Sequence, residues 1–243
     1  MNISFYTAAV GAQMQQERLD VHGNNIANVN TYGFRAKMPA FSSLMTYNVR
    51  GINEDIVTGV GSRLEDAETD FRGTGLRGTD RPLDYAISGS GFFALMDPAT
   101  GEISYTRDGS FTMMDFIDEN GETRWYLSDG LGRFVLNMGG RRIDLTGEED
   151  TAAIGEFELN IGVFDFINHN GMLSIGENRV VPVEKNGQVM LGSGKAVQGY
   201  LELSNADLAY EIGKVIESQR SFQYMLRMVT TSDEIETTVN NLR

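Results

Sequence analysis

Two histidines, at positions 22 and 169, are the only imidazoles available to a chain of 243 residues that has no cysteine at all. Without cysteine there is no disulfide, no thiolate zinc site and no cysteine nucleophile. A histidine-based metal site or a serine triad would therefore have to use His22 or His169. His22 falls inside an N-terminal helical pattern and His169 inside the turn-like "NHNG". A packed or solvated imidazole is the commoner explanation for each.

Other chemistry-bearing patterns fail on position. "LGSGKAV" carries Gly194-Lys195, but it lacks the glycine five residues earlier, and Ala196 stands where a phosphate loop needs a hydroxyl. "SGSGFF" has Ser88 where a nucleophile elbow around Ser90 requires glycine. "DFIDENGET" places Phe116 and Leu127 at the first and last ligand positions of a calcium loop centred on Gly121. The acidic residues are scattered and form no evident dyad. Catalysis is not expected, and neither is a cofactor or a metal.

The net charge of −14 leaves no basic stripe for nucleic acid. No stretch reaches the ~18 apolar residues of a membrane-spanning helix. "MNISFYTAAVGAQMQQERLD" has neither the basic start nor the apolar run of a cleaved secretory signal. If the protein crosses the cytoplasmic membrane, a signal-less export route is expected.

The elements that could position anything fall into zones. Ile3, Tyr6, Val10 and Met14, continued by Val21, follow one helical face, with Leu19, His22 and Ile26 as a weaker line beside it. Near the other end, Leu208, Ile212, Val215, Gln219, Phe222, Leu226 and Val229 step by fours and threes, a heptad seam. The seam then slides to Met225, Met228, Ser232, Ile235, Val239 and Leu242, which predicts more than one partner surface. Asn205 or Asp207 is the expected N-cap. Between these helices lie short aromatic and β-branched runs separated by Asp108-Gly109, Asn120-Gly121, Asp129-Gly130, Asn170-Gly171 and Asn186-Gly187 turns.

The fold class predicted is α+β. An N-terminal helical segment (1–35) and a C-terminal helical segment (198–243) pair as a coiled-coil-like assembly domain. An extended connector with short strands (36–80) and a central, mainly antiparallel β domain (81–197) lie between them. Each terminal helix carries an apolar stripe that is marginal without a partner. The ends are expected to be disordered or loosely helical in the monomer and to fold on assembly.

Asparagine is a poor helix former, yet "NNIANVNTYGFRA" crowds four of them at the end of the first helix. Asn30, Thr31 and Gly33 are explained as a helix stop. Asn24, Asn25 and Asn28 precede it, and they are expected to make subunit contacts that fix register, as a buried Asn does in coiled coils.

These residues carry a resemblance. "RLDVHGNNIANVNTYGFRA" resembles the N-terminal signature of flagellar basal-body rod and hook proteins, with Asn24, Asn25, Ile26, Ala27, Asn28, Thr31, Gly33 and Phe34 matching. The closing segment is similar to the family's end, through Gln198 to Glu202, Ser204-Asn205, Gln219-Arg220 and Asp233-Glu234. "RPLDYAISGSGFFAL", "YTRDGSF" and "FINHNGMLSIGENR" resemble its middle landmarks. The likeness covers nearly the whole chain, most closely the shorter rod proteins of the proximal and distal rod. The connector lacks the longer insert associated with the distal type.

The resemblance implies a structural subunit of the rod, the helical drive shaft linking motor to hook. It would self-assemble through its terminal helices, outside the cytoplasmic membrane. The implied partners are copies of itself, other rod and hook subunits, the flagellar export apparatus and a ring protein around the rod. The expected assembly residues are Asn24, Asn25, Ile26, Ala27, Asn28, Thr31, Gly33, Phe34, Gln198, Gly199, Ser204 and Asn205, together with Leu208, Ile212, Val215, Gln219, Arg220, Phe222, Leu226, Val229, Ile235, Val239 and Leu242. The alternatives are a hook-type or other extracellular axial filament component and, further off, a β-rich enzyme.

Overall fold

The structure is a computed structural model, and it describes residues 3–43, 46–49, 56–59, 62–117, 122–146 and 159–242. The Asn120-Gly121 turn lies outside them. The chain divides into two compact units. One gathers residues 1–27, 37–68 and 206–243; the other gathers 28–36 and 69–205.

The first unit is built on two helices, α1 (Ile3–Ala27) and α2 (Leu208–Asn241), which pack against each other. Alanine, glutamine, glutamate and arginine fill α1 and favour helix. Asp207 caps α2: its side chain accepts from the Ala209 and Tyr210 amides, satisfying two of the free donors at the helix start. Four strands complete the unit. β1 (Lys37–Ser43) pairs with β4 (Ser62–Thr69), and β2 (Thr46–Val49) pairs antiparallel with β3 (Ile56–Gly59). The segment expected to be an extended connector thus supplies β1 to β4 to the helical unit.

The second unit is β structure. Its strands are β5 (Leu76–Gly78), β6 (Tyr85–Ser88), β7 (Phe92–Met96), β8 (Ile103–Thr106), β9 (Thr112–Ile117), β10 (Thr123–Ser128), β11 (Phe134–Val135), β12 (Val163–Asp165), β13 (Leu173–Gly176), β14 (Arg179–Val181), β15 (Met190–Leu191), β16 (Lys195–Gln198) and β17 (Tyr200–Glu202). The main antiparallel sheet runs β13-β14-β8-β7-β11-β10-β9, with β12 bridging β7 and β15. β16 pairs with β6 and β17 with β5. Gln198 to Glu202, expected to open the C-terminal helical segment, therefore lie in and between two strands of the β unit.

β7 explains why the run "FFAL" is continuously apolar. Phe93 and Leu95 enter one core cluster with Tyr85, Phe111 and Leu127; Phe92 and Ala94 enter a second with Tyr105, Leu136 and Phe166. A strand covered on both faces cannot alternate polar and apolar side chains. Gly109 belongs to this packing, since a Cβ there would collide with the Tyr85 carbonyl.

Candidate assembly interface

The most buried residues of α1 and α2 are small or polar. On α1 the buried residues are Ala8, Ala12, Gln15, His22 and Asn25; on α2 they are Glu211, Ser218 and Ser232. Gly11 faces Met225, whose sulfur would stand 3.1 Å from an added Cβ. Small side chains let the two backbones approach closely.

The apolar residues picked out by helical spacing lie mostly elsewhere. Tyr6 is exposed, and Val10, Met14 and Val21 are half-buried. On α2, Val215, Phe222 and Val229 are half-buried, whereas Leu208, Ile212, Leu226, Ile235, Val239 and Leu242 are exposed, as are Gln219 and Arg220. α2 thus keeps one column of the heptad seam, Val215, Phe222 and Val229, partly covered and leaves the other column exposed.

A polar cluster occupies the end of this seam near the start of α2. His22 Nδ1 lies 2.5 Å from Glu211 Oε2. Asn25 Nδ2 donates to Glu211 Oε1 at 3.0 Å and to the Lys37 carbonyl at 2.8 Å, and Asn25 Oδ1 accepts from the Lys37 amide at 2.9 Å. His22 and Glu211 are each 4% exposed and Asn25 only 1%. The Asn25 amide is therefore engaged within the chain. Asn24 and Ala27 are exposed and Ile26 is half-buried.

The remainder of the signature belongs to the β unit. Asn28 accepts the Thr31 hydroxyl at 3.1 Å. Gly33 has φ +65°, and a Cβ on it would collide with the backbone of Arg107 and Asp108, so only glycine fits. Its amide donates to the Glu202 carbonyl at 2.8 Å, and Asn178 Nδ2 donates to the Tyr32 carbonyl at 2.8 Å. Phe34 is buried.

Arg35 is buried as well, and its Nη2 reaches Glu202 Oε1 at 2.6 Å. Arg107 approaches the other oxygen of Glu202 at 3.2 Å and donates to the Gly89 carbonyl at 3.0 Å. Burial lowers the Arg107 guanidinium below the usual arginine value, against the opposing pull of Glu202.

Asn205 ties three passages together. Its Nδ2 donates to the Asp70 carbonyl at 2.7 Å, its Oδ1 accepts from the Ala36 amide at 2.6 Å, and its own amide donates to the Phe34 carbonyl at 3.4 Å. Gln198 Nε2 bonds the Pro82 carbonyl at 2.7 Å, while Gly199, at φ +77°, exchanges backbone bonds with Asp84 and Thr79. Ser204 is half-buried. Glu202 and Arg107 lie inside landmark motifs and Arg35 follows one, but nothing in the sequence signals that the three meet.

His169 is accounted for by packing. Its Nε2 meets Asp165 Oδ1 at 2.6 Å, and its ring sits 5.6 Å from Phe71 and 5.7 Å from Phe92. Among the described residues no cluster of three metal-ligating side chains occurs, and no helix is long and apolar enough to cross a membrane.

Three family models match. Residues 5–35 match the flagella basal body rod protein family, residues 86–138 the flagellar hook protein FlgE/F/G D1 domain, and residues 197–242 the flagellar basal body rod FlgEFG protein C-terminal family. The flagellar basal-body rod protein FlgG of Bacillus subtilis is 32% identical, covering 99% of this chain and 98% of that protein. The chain belongs to the flagellar basal-body rod protein family. FlgG of Buchnera aphidicola subsp. Schizaphis graminum is 31% identical, with 96% of each chain covered, and the FlgF rod protein of Mesorhizobium japonicum is 32% identical with the same coverage.

Membership makes this a structural protein of the flagellar basal body and not an enzyme. The first match takes in α1 from Phe5 together with the Asn28–Arg35 strap, and the last takes in β17, Asn205 and α2. Both therefore span the His22–Asn25–Glu211 and Arg35–Glu202 clusters.

Proposed function

We propose that this rod-family protein polymerises through its two terminal helices into the helical shaft between motor and hook, with the β unit as the rigid body each subunit carries. The observation behind this reading is the exposed apolar series Leu208, Ile212, Leu226, Ile235, Val239 and Leu242 on α2. The most buried residues of α2, Glu211, Ser218 and Ser232, are small or polar instead, so the exposed apolar series is left for other subunits. Fully burying a side chain of this kind stabilises by ~1.5–3 kcal/mol. Five of the six are already about half covered and Leu242 is largely open, so together they give on the order of 5 kcal/mol per subunit.

In this reading α1 and α2, with Asn24, Ala27, Gln219 and Arg220 beside the apolar series, form the contacts between subunits. Residues 1–35 and 198–243 act as the assembly segments, and the terminal helices reach full order only on assembly. The neighbours are copies of this chain and other rod and hook subunits. A ring protein around the rod and the export apparatus, which would pass the chain without a cleaved signal, are further partners. Electron microscopy of basal bodies from a deletion strain tests the assignment. Loss of rod, hook and filament together is expected; a rod retained without its hook would instead indicate a hook-type component.

A further inference from the structure

We propose that Asn170 is a site of spontaneous covalent modification, where the side-chain amide is lost through ring closure with Gly171, while the fold keeps the similar Asn186-Gly187 pair intact. The reaction needs only a single chain and does not require assembly.

It balances within the chain and one water. The Gly171 backbone nitrogen gives up its proton and attacks the Asn170 side-chain carbonyl carbon. The new N–C bond closes a five-membered imide. The bond from that carbon to the side-chain nitrogen breaks, and ammonia leaves with the proton. Water then adds to one of the two imide carbonyls and opens the ring. The product is aspartate or isoaspartate, and nothing is oxidised or reduced. Glycine favours the closure, because no side chain shields its nitrogen and its backbone turns freely.

Asn170-Gly171 and Asn186-Gly187 look equivalent in sequence. The structure separates them. Asn170 is exposed, in the turn that leads into β13. Among the described residues, neither its side chain nor the Gly171 amide has a hydrogen-bond partner. Gly171 stands at φ +80°, and a Cβ on it would meet nothing within 4 Å. Nucleophile and carbonyl carbon are both uncommitted and open to water, with no neighbour in the way of their approach.

Asn186 is the reverse, with 0% of its surface exposed. Its Oδ1 accepts from the Val183 amide at 2.6 Å, and its Nδ2 donates to the carbonyls of Asn168 at 2.8 Å and Asn170 at 3.1 Å. The Gly187 amide donates to the Glu184 carbonyl at 3.4 Å. Ring closure there must first break the three side-chain bonds, so it waits for local opening.

The two pairs also touch. In isoaspartate the chain continues to Gly171 through the former side chain, so the Asn170 carbonyl that Asn186 bonds leaves the main chain. Modification of the exposed pair thereby alters a contact that anchors the buried one.

The test uses the purified full chain in mildly alkaline buffer, one sample folded and one in concentrated guanidinium chloride. Peptide mapping by mass spectrometry follows conversion at each asparagine over time. In the folded chain Asn170 is expected to convert more than about tenfold faster than Asn186. In denaturant the two rates should come within about twofold of each other. A smaller ratio in the folded chain would overturn the proposal. So would an Asn170 that stays intact in the folded chain for the time that converts it in denaturant. A preference that persists in denaturant would overturn it as well, because it would then belong to the adjoining sequence and not to the fold.

Discussion

Arg35 and Glu202, 167 positions apart in sequence, meet at 2.6 Å in the interior of the β unit, with 6% and 2% of their side chains exposed. One residue follows the end of α1 and the other precedes the start of α2. The contact fastens both passages onto the same body, with Arg107 sharing the carboxylate.

Removing that carboxylate leaves two buried guanidiniums without their anion. Glu202→Ala is expected to destabilise the β unit by about 3–5 kcal/mol, the usual effect of breaking a buried pair. Chemical denaturation followed through the single tryptophan, Trp125 on β10, reads the effect. Glu202→Gln, which keeps hydrogen-bonding capacity, should do less damage.

Two glycines that look alike in sequence should respond in opposite ways. Gly33→Ala forces a Cβ against Arg107 and Asp108 at φ +65°, and a loss above about 2 kcal/mol is expected. A Cβ added at Gly23, inside α1, would meet nothing within 4 Å, so Gly23→Ala should stabilise the helix by about 0.5–1 kcal/mol. Paired thermal melts distinguish the two.

Acid should weaken the β unit in a defined direction. The Arg72 guanidinium beside Asp70 holds that carboxyl below its ordinary value. Burial pushes the Asp165 carboxyl up, but bonds from His169, the Phe166 amide and Ser90 together bring it below the usual value. A folded state that releases these protons more readily than the unfolded chain gains stability above the ordinary carboxylate range, and that gain disappears as pH falls through it. Denaturation midpoints measured downward from about pH 5 should therefore decline steadily. Asp70→Asn and Asp165→Asn should each flatten the decline.

The β unit was legible because its cores repeat the local pattern of the sequence: apolar runs become β7 and its neighbours, and Asp129-Gly130 and Asn170-Gly171 become turns, whereas Asp108-Gly109 packs against Tyr85. Asp207 was likewise readable as a cap. The helix seam was less legible. Spacing selects the most apolar line on α2, but the contact within the chain uses Glu211, Ser218 and Ser232, because close antiparallel packing rewards small side chains and one buried polar cluster. A subunit that carries apolar residues for its neighbours presents two competing faces, and periodicity does not say which faces inward. Asn25 shows the same limit: its amide pattern signalled a special role, and only the fold shows that it bonds Lys37 and Glu211. The Arg35–Glu202 pair was beyond reach, since nothing local links residues so far apart.

In the proposed shaft the exposed apolar residues of α2 join subunits. Leu226→Glu and Ile235→Glu, each 45% or more exposed, should leave the folded chain's stability within about 0.5 kcal/mol. The decisive measurement is electron microscopy of basal bodies isolated from a deletion strain that produces either variant at normal levels. Stable protein and no assembled rod are expected; rods of normal length and number would overturn the proposed subunit contacts.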